Sequence, residues 1–330
     1  MDRAYALCAP ASVCARRSQN PTTAVVNMAP GNGRGLRVLW ATDGSDASRA
    51  AMPLLRHLVL PATERLTVLS VAPQSMISGA RPDPAFLVRI TPAARRRALL
   101  ESEDEAQQAA TELDPSGIEL EAIARWGNPI EEVLRVSRTS RADLVVMGAK
   151  GHSNLGLILL GSVSQGVVQN SSRPVLVARP GSHELRKVLI GYDGTPHARR
   201  SVTFLDRLSL LPDVAIKIVY VVEPFSVPGG TPAFRRRAME EARHIAEGRH
   251  ADAERALASL ADSMRATGKR VETVVLTGPA GAQLDEAARD YDADLMVVGS
   301  RKPSPESHYL LGSTAEKLVR HSHVSVLVVR

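Results

Sequence analysis

Two groups of residues in this chain have types and spacings that could do chemistry. The first is Gly148-Ala149-Lys150-Gly151, followed nine residues later by Gly161-Ser162-Val163-Ser164 at the opening of a helical pattern. Glycine lets a backbone come close to a ligand, and a helix start offers unpaired N–H groups and the positive end of the peptide dipole. Such a spacing suits phosphate held by main-chain amides. The bland alternative is a flexible loop whose helix is capped by Ser162. Position after a continuous apolar run favours the ligand. The second group is Asp43-Gly44-Ser45, with a counterpart in Asp193-Gly194-Thr195. A carboxylate there can accept hydrogen bonds from a base or a ribose, while the glycine permits a sharp exit into a helix. Ser45 and Thr195 read as helix caps beside a turn aspartate, and the role of the aspartate stays open.

Other candidates carry less. No Gly-x4-Gly-Lys-Ser/Thr loop is present, and Asp43-Gly44-Ser45 is too short to stand for a pyrophosphatase-type Ser-Gly-Gly-x-Asp-Ser loop. No general base for an attacking water is identifiable. His321-Ser322-His323 lacks a third ligand at useful spacing and reads as surface or turn histidine, while His152, inside the phosphate loop, has two open readings, contact with a terminal phosphate or a solvent-facing position. Trp126 reads as partly buried packing. Two arginine triplets, Arg95-Arg96-Arg97 and Arg235-Arg236-Arg237, precede acidic residues, so pairs such as Arg97 with Glu101 and Arg237 with Glu241 are expected on solvated helix faces. Positive charge near a helix start opposes the dipole, which leaves a partner as the alternative.

These residues must be positioned by elements, and the elements come in two copies. Leu36 to Ser45 matches Arg186 to Thr195 at an offset of 150, while Ala142 to Gly148 matches Ala293 to Gly299 at 151. Leu160-Gly161-Ser162 likewise matches Leu311-Gly312-Ser313. The chain is a tandem duplication. Three units are expected: a disordered tail over 1–35, a first domain over 36–180 and a second over 186–330, with a short Pro180-Gly181-Ser182-His183 hinge. Strands are predicted at 37–42, 66–71, 118–125, 142–147 and 174–178, then at 187–192, 216–222, 271–277, 293–298 and 324–329. Helices are predicted at 46–59, 92–113, 129–140 and 161–172, then at 196–209, 232–267, 279–290 and 312–322, with Gly248 weakening the longest. Alternating strands and helices of this kind make two tandem doubly wound α/β domains with parallel sheets. The last strand of each copy is an exposed edge, and the two are expected to meet antiparallel, an intrachain pseudo-dimer; whether two chains also form a homodimer is left open.

Composition narrows the function. With 44% hydrophobic and 23% charged residues over 330 positions, the chain can bury two cores, and disorder is excluded as its main state. No apolar run approaches the roughly 18 to 20 residues of a membrane helix. Both cysteines, Cys8 and Cys14, lie in the tail, so a reducing, cytoplasmic setting is expected. The net charge of +6 draws on the tail, where Arg3, Arg16, Arg17 and Arg34 face Asp2 alone. With 3% aromatic residues to stack on bases, nucleic acid is an unfavoured partner. The tail is weakly like an organellar presequence, and Met28 is an equally natural beginning.

Gly148-x2-Gly151-x9-Gly161-Ser162, preceded by Asp143-Leu144-Val145-Val146-Met147 and followed by Arg173-Pro174-Val175-Leu176-Val177, resembles the ATP-binding branch of the universal stress protein family. The resemblance covers nearly all of 36–330, twice over. It implies domains of the adenine-nucleotide alpha-hydrolase kind, with five strands in the order 3-2-1-4-5, binding ATP with Mg2+ or Mn2+. Carried over by position, Ala41, Thr42, Asp43 and Val71 would line the adenine and ribose pocket, and Met147 and Gly148 would lie against the nucleoside. Lys150, Gly151, Gly161, Ser162 and Val163 would hold the phosphates. The second copy keeps Asp193, Val221, Gly299, Gly312, Ser313 and Thr314, but Lys302 stands where Gly151 should recur, followed by Pro303-Ser304-Pro305, so an altered or weaker second site is expected. The leading expectation is a nucleotide-dependent regulatory module with little or no turnover, read by a protein partner. The alternatives are a slow ATPase or self-phosphorylating enzyme, and a nucleotide-free scaffold.

Overall fold

The structure, a computed structural model, describes residues 35–74, 91–113, 117–149, 160–181, 185–208, 210, 213–224, 231–301 and 311–330. The tail expected over 1–35 lies outside these residues apart from Gly35, as do the last two residues of the hinge.

In the first copy the β-branched runs form β1 (Leu36–Thr42), β2 (Thr63–Pro73), β3 (Glu119–Gly127), β4 (Leu144–Gly148) and β5 (Val175–Ala178). In the second they form β6 (Lys187–Gly191), β7 (Ala215–Val222), β8 (Arg270–Thr277), β9 (Leu295–Gly299) and β10 (Ser325–Val329). Leu144, Val145, Val146 and Met147 are all buried, as are Leu295 to Val298, because helices cover both faces of these central strands. All pairs within a copy are parallel. The order is β3-β2-β1-β4-β5-β10-β9-β6-β7-β8, so each copy has the expected 3-2-1-4-5 arrangement and the two run on as one ten-stranded sheet.

The join is the pairing of the two last strands. β5 and β10 are antiparallel, with Val177 opposite Val326 and Val175 opposite Val328, so each covers the other's unpaired backbone edge. Two arginines seal it. Arg179 and Arg330, each the residue just past its strand's paired segment, are 1% and 4% exposed. Arg179 donates from Nη2 to the Val319 carbonyl at 2.6 Å, and Arg330 donates from Nη2 to the Val168 carbonyl. Val168 and Val319 are themselves repeat equivalents, so the two guanidiniums exchange helices across the seam. Burial lowers the pKa of both to about 10.

One face of the sheet is covered by α1 (Asp46–Arg49), α2 (Met52–Leu54), α3 (Pro92–Leu113), α6 (Pro196–Asp206) and α7 (Pro232–Arg265). The other face carries α4 (Pro129–Thr139), α5 (Ser162–Asn170), α8 (Ala280–Asp290) and α9 (Ser313–His321). Strand side chains alternate between the two cores, with Val38 and Trp40 on one and Leu39 on the other.

The single helix predicted over 46–59 is a correction. Pro53 has no N–H to give the turn before it, so α1 stops at Arg49, α2 is three residues long, and the path continues as a π turn over Leu55–Val59 and a 3-10 turn over Leu60–Ala62. Gly248 does not interrupt α7, whose 34 residues run straight through it. Among the described residues no helix is long and apolar enough to cross a membrane.

Candidate functional site

Strand order reverses between β1 and β4, and again between β6 and β9, which opens a crevice beyond their carboxyl ends. Ala41 pairs with Met147 in the β1–β4 register. Ala41, Val71, Met147 and Val163 belong to the same apolar cluster, so four of the expected residues meet on one face. Val221 lies on the corresponding cluster in the second copy.

Thr42 faces the other way. Its hydroxyl is buried, lies 2.9 Å from the Ser48 hydroxyl and accepts from the Gly44 N–H at 3.2 Å, so it serves the turn. Asp43 is exposed, and its Oδ1 accepts from the Ser45 N–H at 3.1 Å and from the Ser45 hydroxyl at 2.5 Å. Asp193 does the same with Thr195, at 3.0 and 2.6 Å. Ser45 and Thr195 cap their helices, accepting from Ser48 N–H and Ala198 N–H at 3.3 Å. The cap reading of the hydroxyls therefore holds in both copies, and among the described residues no hydrogen bond engages Oδ2 of either aspartate. Gly44 and Gly194, at φ +71 and +74, make the left-handed exit that disfavours other residues.

Gly148 and Gly299 end β4 and β9. A Cβ at Gly148 would sit 2.1 Å from the Ala47 carbonyl oxygen, and one at Gly299 would sit 2.5 Å from the His197 carbonyl group. The neighbour that requires glycine here is the first turn of α1 or α6. Lys150 and Gly151 lie outside the described residues, as does Lys302 in the second copy.

Gly161 is the N-cap of α5, with Ser162 and Val163 as its first residues, and Gly312 holds the same place before Ser313 and Thr314 in α9. Neither helix has a side-chain cap. By contrast α1, α4, α6 and α7 are capped by Ser45, Asn128, Thr195 and Thr231. The Ser162 reading as a cap is thereby replaced: Ser162 is inside the helix, and among the described residues no side chain caps its first amides. Ser164, named in the motif but given no role of its own there, ties this helix start to the end of β4 by donating to the Gly148 carbonyl at 2.8 Å.

Several other expectations are placed by their contacts. Arg97 donates to Glu101 at 2.9 Å as predicted, whereas no ion pair joins Arg237 and Glu241 among the described residues. Arg95 sits 5.6 Å over the Trp126 ring, which is half-buried. His323 lies 3.5 Å from Asp285 rather than in a metal cluster, and among the described residues no three His, Cys, Asp or Glu side chains converge to hold a metal ion. Asp143 and Asp294 are structural: Asp143 Oδ2 accepts from the Arg37 N–H at 3.0 Å and Asp294 Oδ2 from the Lys187 N–H at 2.8 Å, fixing β4 and β9 beside β1 and β6.

The reading also missed Arg179 and Arg330. Their signal was available, since both arginines follow a Val-rich final strand at the repeat offset of 151.

Two parallel half-sheets of order 3-2-1-4-5, each with a reversal point, define doubly wound α/β domains consistent with the adenine-nucleotide alpha-hydrolase architecture. The model of the Universal stress protein family matches residues 36–179 and again 184–330, and the chain belongs to that family. It is 26% identical over 155 residues to Universal stress protein MJ0577 of Methanocaldococcus jannaschii, covering 43% of this chain and 94% of that one. Against Universal stress protein YxiE of Bacillus subtilis the identity is 30% over 150 residues, 43% of this chain and 98% of that one. A universal stress protein structure from Archaeoglobus fulgidus shares the fold across both copies, with a TM-score of 0.62 and 22% identity over 89% of this chain and 96% of that one.

Proposed function

We propose that this chain is an ATP-binding regulatory module of the stress response, in which the presence of nucleotide, rather than its turnover, is what a protein partner reads. One observation carries this reading: α5 opens on Gly161 without a side-chain cap, beside the ends of β1 and β4. Amides of Ser162, Val163 and Ser164, with no side-chain acceptor among the described residues, suit phosphate oxygens. Ala41, Val71 and Met147 give an apolar floor for a base, and the second oxygen of Asp43 can accept from a ribose hydroxyl. Lys150 and Gly151 complete the cradle on the strength of the sequence.

An accompanying Mg2+ or Mn2+ fits only as an ion held mainly by phosphate oxygens, since the site offers no converging carboxylates among the described residues. It would neutralise phosphate charge. Little turnover is favoured because the sequence offers no identifiable general base for an attacking water.

Equilibrium titration of the full chain with ATP, ADP and AMP, with and without magnesium, tests the proposal. ATP should bind more tightly than AMP, and phosphate release should stay far below one turnover per minute. Absence of ATP binding refutes the nucleotide, and sustained multiple turnover refutes the regulatory role.

A further inference from the structure

One helix outruns its counterpart, and the surplus is not packed on its domain. α7 has 34 residues where α3 has 22. Their carboxyl ends match at the repeat offset of 151, Leu113 and Met264 being buried in the same core, so the excess lies at the amino end and residues 232–242 have no counterpart. From Phe234 to Asp252 no residue is buried, and the first that is buried is Ala253. Phe234, Met239 and Ile245 are 53%, 64% and 43% exposed, three of the five large apolar side chains left in water among the described residues. A helical stretch this short is marginal in water on propensity alone, so the overhang calls for a covering surface.

The charges on the overhang say what would cover it. Arg235, Arg236 and Arg237 are followed by Glu240 and Glu241, all exposed, and none of the five forms an ion pair among the described residues. The other arginine triplet is engaged, Arg97 by Glu101 and Arg95 by the Trp126 ring. The triplets stand 140 residues apart rather than 151, so they are not repeat equivalents. A basic run followed by an acidic pair is complementary to itself in reverse. Phe234, Ala238, Glu241 and Ile245, spaced four, three and four apart, also form the seam of a helix pair. With a two-fold axis between residues 239 and 240, an antiparallel pair sets Phe234 against the other copy's Ile245, Ala238 against the other copy's Glu241, and Arg237 beside that same glutamate. Ala253 is then roughly 20 Å along the helix from the axis, so the two domain bodies stand well apart. A membrane suits this face less well, because Glu240, Glu241 and Glu247 interrupt its few apolar side chains.

We infer that the amino-terminal half of α7 docks antiparallel on α7 of a second copy of this chain, through Phe234, Ala238, Glu241 and Ile245, with Arg237 and Glu241 paired across the axis. Such a contact uses one patch twice and closes on itself, so it makes a dimer and not a filament. It is short, so the dimer is weak and concentration-dependent. The inference does not depend on nucleotide binding.

Sedimentation velocity of the full chain without nucleotide, from about 1 to 200 μM, tests this. Wild type should pass from monomer to dimer over that range, and Phe234→Ser with Ile245→Ser should remain monomeric. Arg237→Glu alone and Glu241→Arg alone should each weaken the dimer by about tenfold, because either change turns two attractions into two repulsions. An equimolar mixture of those two single variants should dimerise as wild type does, since opposite charges then meet again across the axis. Circular dichroism checks that each variant keeps its folded domains. Wild type still monomeric at about 200 μM, a dimer unmoved by the paired Ser substitutions, or single variants that do not recover on mixing, overturns the inference. A monomer that sediments with anionic phospholipid vesicles, and loses this with Phe234→Ser and Ile245→Ser, also overturns it and gives the face to a membrane.

Discussion

Gly148→Ala should damage the fold although alanine is the gentlest addition available. Gly148 does not lie in the left-handed region, so its backbone can accept a side chain, and the whole cost is steric. The new methyl would begin 2.1 Å from the Ala47 carbonyl oxygen and 2.7 Å from Ser48 Cα. Ordinary contact between such atoms is about 3.3 Å or more, so α1 must recede by about 1 Å. That helix is tethered: Ser48 donates from its hydroxyl to the Ser45 carbonyl at 2.8 Å, and its hydroxyl also meets that of Thr42. Overpacking against a fixed backbone costs about 1 to 3 kcal/mol, and the upper end is expected here. Denaturant unfolding followed by tryptophan emission reads the right half of the molecule, because Trp40 and Trp126, the two tryptophans, both lie in the first copy. A variant within about 0.5 kcal/mol of wild type would refute the argument that glycine is required here by the approach of α1.

Three further outcomes follow from the contacts described. Gly248→Ala, where a Cβ meets nothing within 4 Å, should stabilise α7 by about 0.5 to 1 kcal/mol, measured by denaturant unfolding followed by circular dichroism. Arg330→Ala removes the donor to the Val168 and Arg301 carbonyls and empties its buried space, so stability should fall by about 2 to 4 kcal/mol, measured by thermal unfolding. His197 has a folded pKa below its ordinary 6.5, so the unfolded chain takes up the proton first; stability should decline as pH falls from 6.5 through that lowered value, and His197→Gln should flatten this part of the pH profile.

The architecture was legible because its signals were repeated and continuous. Apolar runs such as Leu144 to Met147 read as strands buried on both faces, and the offsets of 150 and 151 supplied a second copy of that pattern. The antiparallel meeting of β5 and β10 followed from the need to cover two edges. The path after β1 was not legible. Apolar periodicity across 46–59 looks helical, and only the missing N–H of Pro53 turns it into shorter pieces with a π turn. Gly148 and Ser162 show a different difficulty. Each has a residue type that fits both a ligand site and a packing or capping role, and the choice depends on a neighbour from another element: Ala47 for Gly148, the uncapped start of α5 for Ser162. The Arg237 to Glu241 pair failed for want of a constraint, since exposed side chains gain little by meeting.

Because the seam between β5 and β10 lies within one polypeptide, the mirror relation between its sides is not enforced by identity. In an assembly of two identical chains, any change at the axis appears twice and must suit both surroundings. Here Arg179 and Arg330 can keep their matching roles while Ala47 and His197, or Ser70 and Tyr220, go separate ways. Covalent linkage has released the two crevices from having to be alike while leaving intact the junction that holds them together.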